Sequence, residues 1–132
     1  RRVPALPLKR LAAGSWVYGS FSTWIGSDDK NRGWDYLVAA KQAFDAAVDT
    51  LTDEQRELAT YQLAVCEGSD WFWWFGDYNP AGSVSDFEQL YRTQLRELYR
   101  LIGVVPPARL DIALSRGGGW AENAGTMRRN AG

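Results

Sequence analysis

Three carboxylates and five consecutive aromatic residues share the stretch EGSDWFWWFGD, residues 67–77. Indole rings present flat apolar faces that can stack on the axial C–H groups of a sugar. Carboxylates accept hydrogen bonds from sugar hydroxyls. The same aromatic side chains could instead anchor neighbouring segments of the protein, and composition alone favours that interpretation.

Glu67 and Asp70 are the carboxylates whose spacing could suggest hydrolysis. On one helix, residues three apart have Cβ atoms about 5–6 Å apart, which is close to the carboxylate separation of a retaining glycosidase. However, the acid and the nucleophile must approach the scissile bond from different sides, and two side chains projecting together from one helix do not. We therefore expect no catalytic residue in this chain.

The helix that would carry this stretch is predicted to begin after Thr52 and to continue to Gly76. Thr52-Asp-Glu-Gln55 has the form of a capping box, and Gly76 is a plausible C-terminal cap. On a helical wheel one stripe should face the other helices; it consists of Leu58, Tyr61, Val65 and Phe72. Trp74 then points away from the bundle, and the residues expected around it are Glu67, Asp70, Asp77, Trp71 and Trp73.

Two more amphipathic helices are predicted, one from about Lys30 to Thr50 and one from Ser85, with Glu88 completing a second capping box, to Gly103. The apolar side of the latter should contain Phe87, Leu90, Tyr91, Leu95, Leu98 and Ile102. The sequence predicts an all-α fold, an antiparallel three-helix bundle. An extended, partly buried aromatic segment at 14–27 precedes it, and a flexible C-terminal tail containing Gly117-Gly-Gly119 follows. The predicted divisions are a linker at 1–13, the helical domain at 14–107 and an extended or flexible tail at 108–132.

Composition excludes several classes of site. The 132 residues contain no histidine, which rules out triads with a His base and His-ligated zinc. We expect no metal and no cofactor. Cys66 is the single cysteine, so it should be a packed thiol in a reducing, cytoplasmic environment. The net charge is −1 and no apolar run reaches about 18 residues, so neither nucleic acid nor a membrane is an expected partner.

Several motifs occur together in one order: Gly14-Ser-Trp16, Trp24-Ile-Gly26, Asn31-Arg32 with Trp34, residues 67–77, and Phe87 through Tyr99. Over about residues 14–107 this series resembles the C-terminal helical region of glycoside hydrolase family 57, the α-amylase and amylopullulanase-like enzymes. The resemblance implies an upstream, incomplete β/α barrel. That barrel carries a Glu nucleophile and an Asp acid/base and acts on α-glucans with retention of configuration. The helical region would close one side of its cleft.

The resemblance also implies which residues line the glucan site. Ser69-Asp70-Trp71 match the last motif of the family, so Asp70 and Trp71 are the leading candidates. Trp74 is a further candidate because the helical wheel places it on the outer side. Trp16 is a candidate because its own segment also resembles the family. Many relatives continue Gly-Asp-Asp-His where this chain has Gly76-Asp77-Tyr78-Asn79, so a role for that His does not carry over.

Expected partners are the upstream barrel of the same polypeptide and an α-glucan or maltooligosaccharide. The missing Met and the Pro-rich start predict that residues 1–13 link to that barrel. Residues 125–129 are similar to the natural C-terminus of bacterial family members. Two alternatives stay open: an independent carbohydrate-binding module, and a protein-interaction bundle whose aromatic side could pair with itself.

Overall fold

The computed structural model describes residues 6–120, and within that range the chain is all-α, as predicted. Its helices are α1 at Asp28–Ala47, α2 at Asp53–Cys66, α3 at Asp70–Trp74 and α4 at Ala81–Leu101. Short 3₁₀ turns follow at Val48–Thr50 and Ala108–Asp111. Residues 6–120 form no β-strand, and their isolated bridge joins Pro80 to Gly119. None of the helices in these residues combines the length and apolarity that crossing a bilayer requires.

Helix α2 begins as predicted and ends ten residues early. Thr52 Oγ1 accepts from the Gln55 amide at 3.2 Å and Gln55 Oε1 accepts from the Thr52 amide at 3.0 Å, which is the predicted capping box. The helix ends at Cys66 and a separate short helix, α3, follows at Asp70. The Trp71 indole N–H donates to the Val65 carbonyl at 2.9 Å. A local side-chain bond thus satisfies a carbonyl that a longer helix would have used.

The predicted bundle-facing stripe is wrong for Leu58 and Tyr61 and confirmed for Phe72, which is buried but lies on α3. Leu58 and Tyr61 are 52% and 72% exposed, and the buried positions are Ala59, Leu63 and Cys66. These residues also follow three-four spacing, and the small ones allow the helix to lie against α4. The helical wheel favours the other stripe because it treats residues 53–76 as one continuous helix and so includes Phe72, although the helix is broken between α2 and α3.

Helix α4 begins four residues before the predicted start. Pro80 is its N-cap, and a proline suits a helix start because the N–H it lacks has no partner within the helix. The Ser85–Glu88 capping box is therefore wrong: both residues lie inside the helix, and Glu88 is buried and paired with Arg92. The end is as predicted, with Gly103 at φ +70° after the last turn. Of the apolar positions expected to be buried, Leu90 is exposed.

The core gathers α1, α2 and α4 around an aromatic cluster from the end of the 67–77 stretch. Trp34 stacks on Phe72 with ring centroids 4.0 Å apart, and Phe72 and Phe75 both meet Tyr91 edge-on. Gly33 faces this cluster, where a Cβ would lie 3.0 Å from the Phe75 ring and 3.1 Å from the Phe72 ring. Glycine here permits the close approach of α1 to the aromatic rings.

Residues 14–27 form consecutive turns, so the predicted extended conformation is wrong. The Ser20 amide donates to the Val17 carbonyl and the Trp24 amide to the Phe21 carbonyl. The turns pass through left-handed backbone at Tyr18 and Gly19. The expectation that this segment is partly buried is confirmed by Val17 and Thr23.

Residues 108–120, the described part of the predicted extended or flexible tail, pack against the helices. Leu110 and Leu114 are buried in the core. The amides of Gly118 and Gly119 donate to the Asn79 carbonyl at 3.1 and 2.9 Å. A Cβ on Gly119 would lie 1.9 Å from the Tyr78 carbonyl oxygen, which explains the glycine. The rest of the predicted tail, 121–132, and residues 1–5 of the predicted linker lie outside the described residues.

Candidate functional site

A groove of about 430 Å³ lies between the turns of residues 14–27 and helix α3. Its lining is mostly indole, with one carboxylate and one hydroxyl. The lining residues are Trp16, Trp24, Ser69, Asp70, Trp73 and Trp74. Three of the four predicted site residues, Asp70, Trp74 and Trp16, therefore meet in one place.

Trp73 connects the two sides of this groove. Its ring centroid lies 6.4 Å from that of Trp16, with the planes 18° apart, and 6.0 Å from that of Trp24, with the planes at 54°. Trp16 is 75% exposed, so much of its surface faces solvent. Trp74 is half-buried and stacks on Phe87 at 4.7 Å and 12°. Contacts with α4 thus hold the Trp74 ring in place while it lines the groove.

Asp70 is the one carboxylate among the lining residues. It is exposed at the first position of α3, and none of the residues 6–120 forms a salt bridge with it. Ser69, the N-cap of α3, makes no side-chain capping bond and adds a hydroxyl next to it. Together these side chains can accept and donate hydrogen bonds beside flat apolar surfaces, which is what a polyhydroxylated ring requires.

Trp71, the fourth predicted site residue, lies outside the groove. Its ring centroid lies 5.6 Å from that of Tyr91 and 6.3 Å from that of Phe87, and its indole N–H donates to the Val65 carbonyl. On α3 each residue turns about 100° from the last, so Trp71 faces α4 while Asp70, Trp73 and Trp74 line the groove. Glu67, expected beside Trp74, is exposed and does not line the groove.

Sequence reasoning missed two aromatic residues of the groove. The sequence identifies Trp24 as part of a motif that resembles the family but not as a site residue, and the helical wheel places Trp73 on a flank of the predicted helix. The signal for Trp24 was its Trp-Ile-Gly context. No signal in the sequence identified Trp73, because its position follows from the break between α2 and α3.

Hydrogen bonds to main-chain carbonyls fix both sides of the groove. The Trp34 indole N–H, from α1, donates to the Trp24 carbonyl at 2.9 Å. On the other side, Asn79 Nδ2 donates to the carbonyls of Trp73 and Trp74 at 3.2 and 2.9 Å. These carbonyls end α3, and Asn79 supplies the partners they lack within the helix. The main chain that carries the indoles is therefore held by partly buried hydrogen bonds, and the rings by packing.

The groove by itself lacks the parts of a hydrolytic site. A glycosidase needs two carboxylates that flank the scissile bond, and Asp70 has no carboxylate partner among the lining residues. Residues 6–120 contain no cluster of potential metal ligands. Cys66 is fully buried, and burial raises the pKa of its thiol to about 12. It is a packed thiol, as predicted, and not a nucleophile.

Comparisons with protein families, with curated proteins and with solved structures gave no match to this chain.

Proposed function

We propose that this chain is the C-terminal helical domain of an α-glucan-active glycoside hydrolase similar to family 57. It completes the active-site cleft and supports the upstream barrel, and the barrel carries the catalytic residues. The single observation that carries the proposal is the groove lined by four indoles together with Asp70. We further propose that α1, α2 and α4 run antiparallel, and that the protein is cytoplasmic, as its lone reduced cysteine favours.

The chemistry of the groove suits one or two glucose units. An indole face covers the C–H side of a pyranose ring, and Asp70 accepts hydrogen bonds from the hydroxyls at its edge. A volume of about 430 Å³ is at the small end of ligand sites in proteins. A groove of this size that is open to solvent fits one side of a cleft better than a complete site.

Exposed apolar residues in the segment before α1 support a covering domain. They are Leu6, Leu8, Leu11, Trp16, Tyr18, Phe21 and Ile25. A partner that covers this segment would bury these side chains, and exposed apolar patches mark interaction sites. In this proposal the barrel covers it, and the indoles of the groove lie at the junction.

The test is a titration with maltopentaose, followed by saturation-transfer NMR on the ligand. Because the chain supplies one side of a cleft, we expect a dissociation constant in the millimolar range. Trp74→Ala and Asp70→Asn should each weaken binding about tenfold or more. Trp120→Ala is the matched control, since Trp120 is 79% exposed and lies outside the groove. No hydrolysis of the ligand should be detectable during the experiment.

The outcomes separate the alternatives. Saturation transfer that is absent at tens of millimolar sugar, or unchanged by both groove variants, would refute the proposal. Micromolar binding that is lost in Trp74→Ala would instead favour an independent carbohydrate-binding module. This module is the second candidate because all the residues that line the groove belong to one chain. Concentration-dependent dimerisation in sedimentation runs, abolished by substituting Trp16, would favour a protein interface.

A further inference from the structure

Lys30 on α1 is fully buried beneath the groove. Its ammonium donates to the Thr23 carbonyl at 2.5 Å, to the Phe72 carbonyl, and to the Tyr78 hydroxyl at 2.8 Å. A buried ammonium is costly unless hydrogen bonds replace its hydration. An apolar side chain would fill this position without that cost, so the retained charge requires a reason.

The acceptors of Lys30 explain what the charge does. Thr23 directly precedes Trp24 on one side of the groove, and Phe72 directly precedes Trp73 on the other. Tyr78, the third acceptor, also donates its hydroxyl to the Trp73 carbonyl at 3.2 Å. One ammonium therefore connects α1 to both sides of the groove. The two sides are far apart in sequence, and the Lys30–Phe72 bond spans 42 residues.

We propose that Lys30 is the positioning residue of the groove, whose ammonium sets the separation of Trp24 and Trp73. An ammonium presents three donors that can reach carbonyls converging from different directions. Losing it leaves the buried Thr23 and Phe72 carbonyls without this donor, and an unsatisfied buried acceptor is relieved when its segment moves toward water. The ring contacts of Trp73 with Trp16 and Trp24 also join the turns of 14–27 to α3, and a shift of the turns would change these contacts. This inference concerns the geometry of the groove; only its extension to sugar affinity rests on the proposed function.

The test compares Lys30→Met with Lys41→Met. Both residues lie on α1, and Lys41 makes an exposed pair with Asp45, so Lys41→Met controls for the loss of charge on the helix. The readout is the exciton couplet of the stacked indoles in the circular dichroism spectrum, assigned by its loss in Trp73→Phe. We expect Lys30→Met to keep the helical signal and lose more than half of the couplet. Lys41→Met should keep both, and a couplet in Lys30→Met equal to that of the wild type overturns the proposal.

If Lys30→Met fails to fold, Lys30→Gln decides. That variant keeps a polar side chain with two donors but removes the charge and one donor, and it leaves the Tyr78 hydroxyl bond to the Trp73 carbonyl in place. A smaller couplet in a folded protein supports the proposal and an unchanged couplet overturns it. Maltopentaose binding gives the second readout, and Lys30→Met is expected to weaken it about tenfold while Lys41→Met leaves it unchanged. If the wild-type chain does not bind the sugar, the proposed function fails, and the couplet still tests Lys30.

Discussion

Removing the buried carboxylate of Glu88 should destabilise the fold and loosen the contacts at the end of α3. The Glu88 side chain is 5% exposed, and its oxygens accept from Arg92 Nε and Nη2, each at 2.8 Å, and from the Leu114 amide at 3.2 Å. The pair raises the pKa of Arg92 through the hydrogen bond to Glu88, so the guanidinium stays charged. Glu88→Ala leaves that charge, 11% exposed, without its carboxylate. Breaking such a pair costs about 3–5 kcal/mol of unfolding free energy.

Urea unfolding followed by tryptophan fluorescence measures this cost. With a urea dependence of about 2 kcal/mol per molar, the midpoint should fall by roughly 1.5–2.5 M. Glu97→Ala is the matched control on the same helix, because Glu97 pairs with Arg100 and both side chains are well exposed. Water replaces that exposed interaction, so the midpoint should stay near the wild-type value. A shift in Glu88→Ala no larger than that in Glu97→Ala would refute the reasoning.

The effect should also reach the end of α3. Glu88 holds Leu114, and the adjacent Ser115 Oγ accepts from the Gly76 amide at 3.0 Å and donates to Asp29 at 2.8 Å. In Glu88→Ala we therefore expect faster hydrogen exchange at the amides of Leu114 and Gly76, beyond what the lower global stability accounts for. Equal acceleration at all core amides would show that the segment opens only when the whole domain does.

Two further predictions concern backbone approach and pH. Gly119→Ala should detach residues 117–119 from Asn79, because the new Cβ has no room beside the Tyr78 carbonyl; faster amide exchange at Gly118 checks this. Gly82→Ala, which has open space on α4, should instead stabilise the protein by up to about 1 kcal/mol. The raised pKa of Cys66, about 12, predicts stability that falls as pH rises above the ordinary thiol pKa of about 8.5, because the unfolded chain loses the thiol proton first. Urea midpoints at mildly and strongly alkaline pH should show a steeper fall in the wild type than in Cys66→Ala, and parallel slopes would contradict it.

Local signals predicted what depends on neighbours in sequence. The capping box at Thr52, the helix end at Gly103 and the burial of Tyr91 rest on side chains a few residues apart, and each is present in the structure. The start of α4 was also readable, since Pro80 is well suited to a helix start. The capping-box pattern at Ser85 misled the prediction, because Glu88 is needed to hold Leu114, which is 26 residues away in sequence.

The groove depends on features that no local pattern could reveal. A helix continuing from Asp53 to Gly76 would place Trp71 and Trp73 on its two flanks, and neither would be a groove residue. Because α2 ends at Cys66 and the Trp71 indole bonds to Val65, α3 starts in a new orientation, with Trp71 toward α4 and Trp73 toward Trp24. Only tertiary contacts select that orientation. Any substitution that joins α2 and α3 into one continuous helix should therefore remove the groove and raise the helix content, even when every residue that lines the groove is kept.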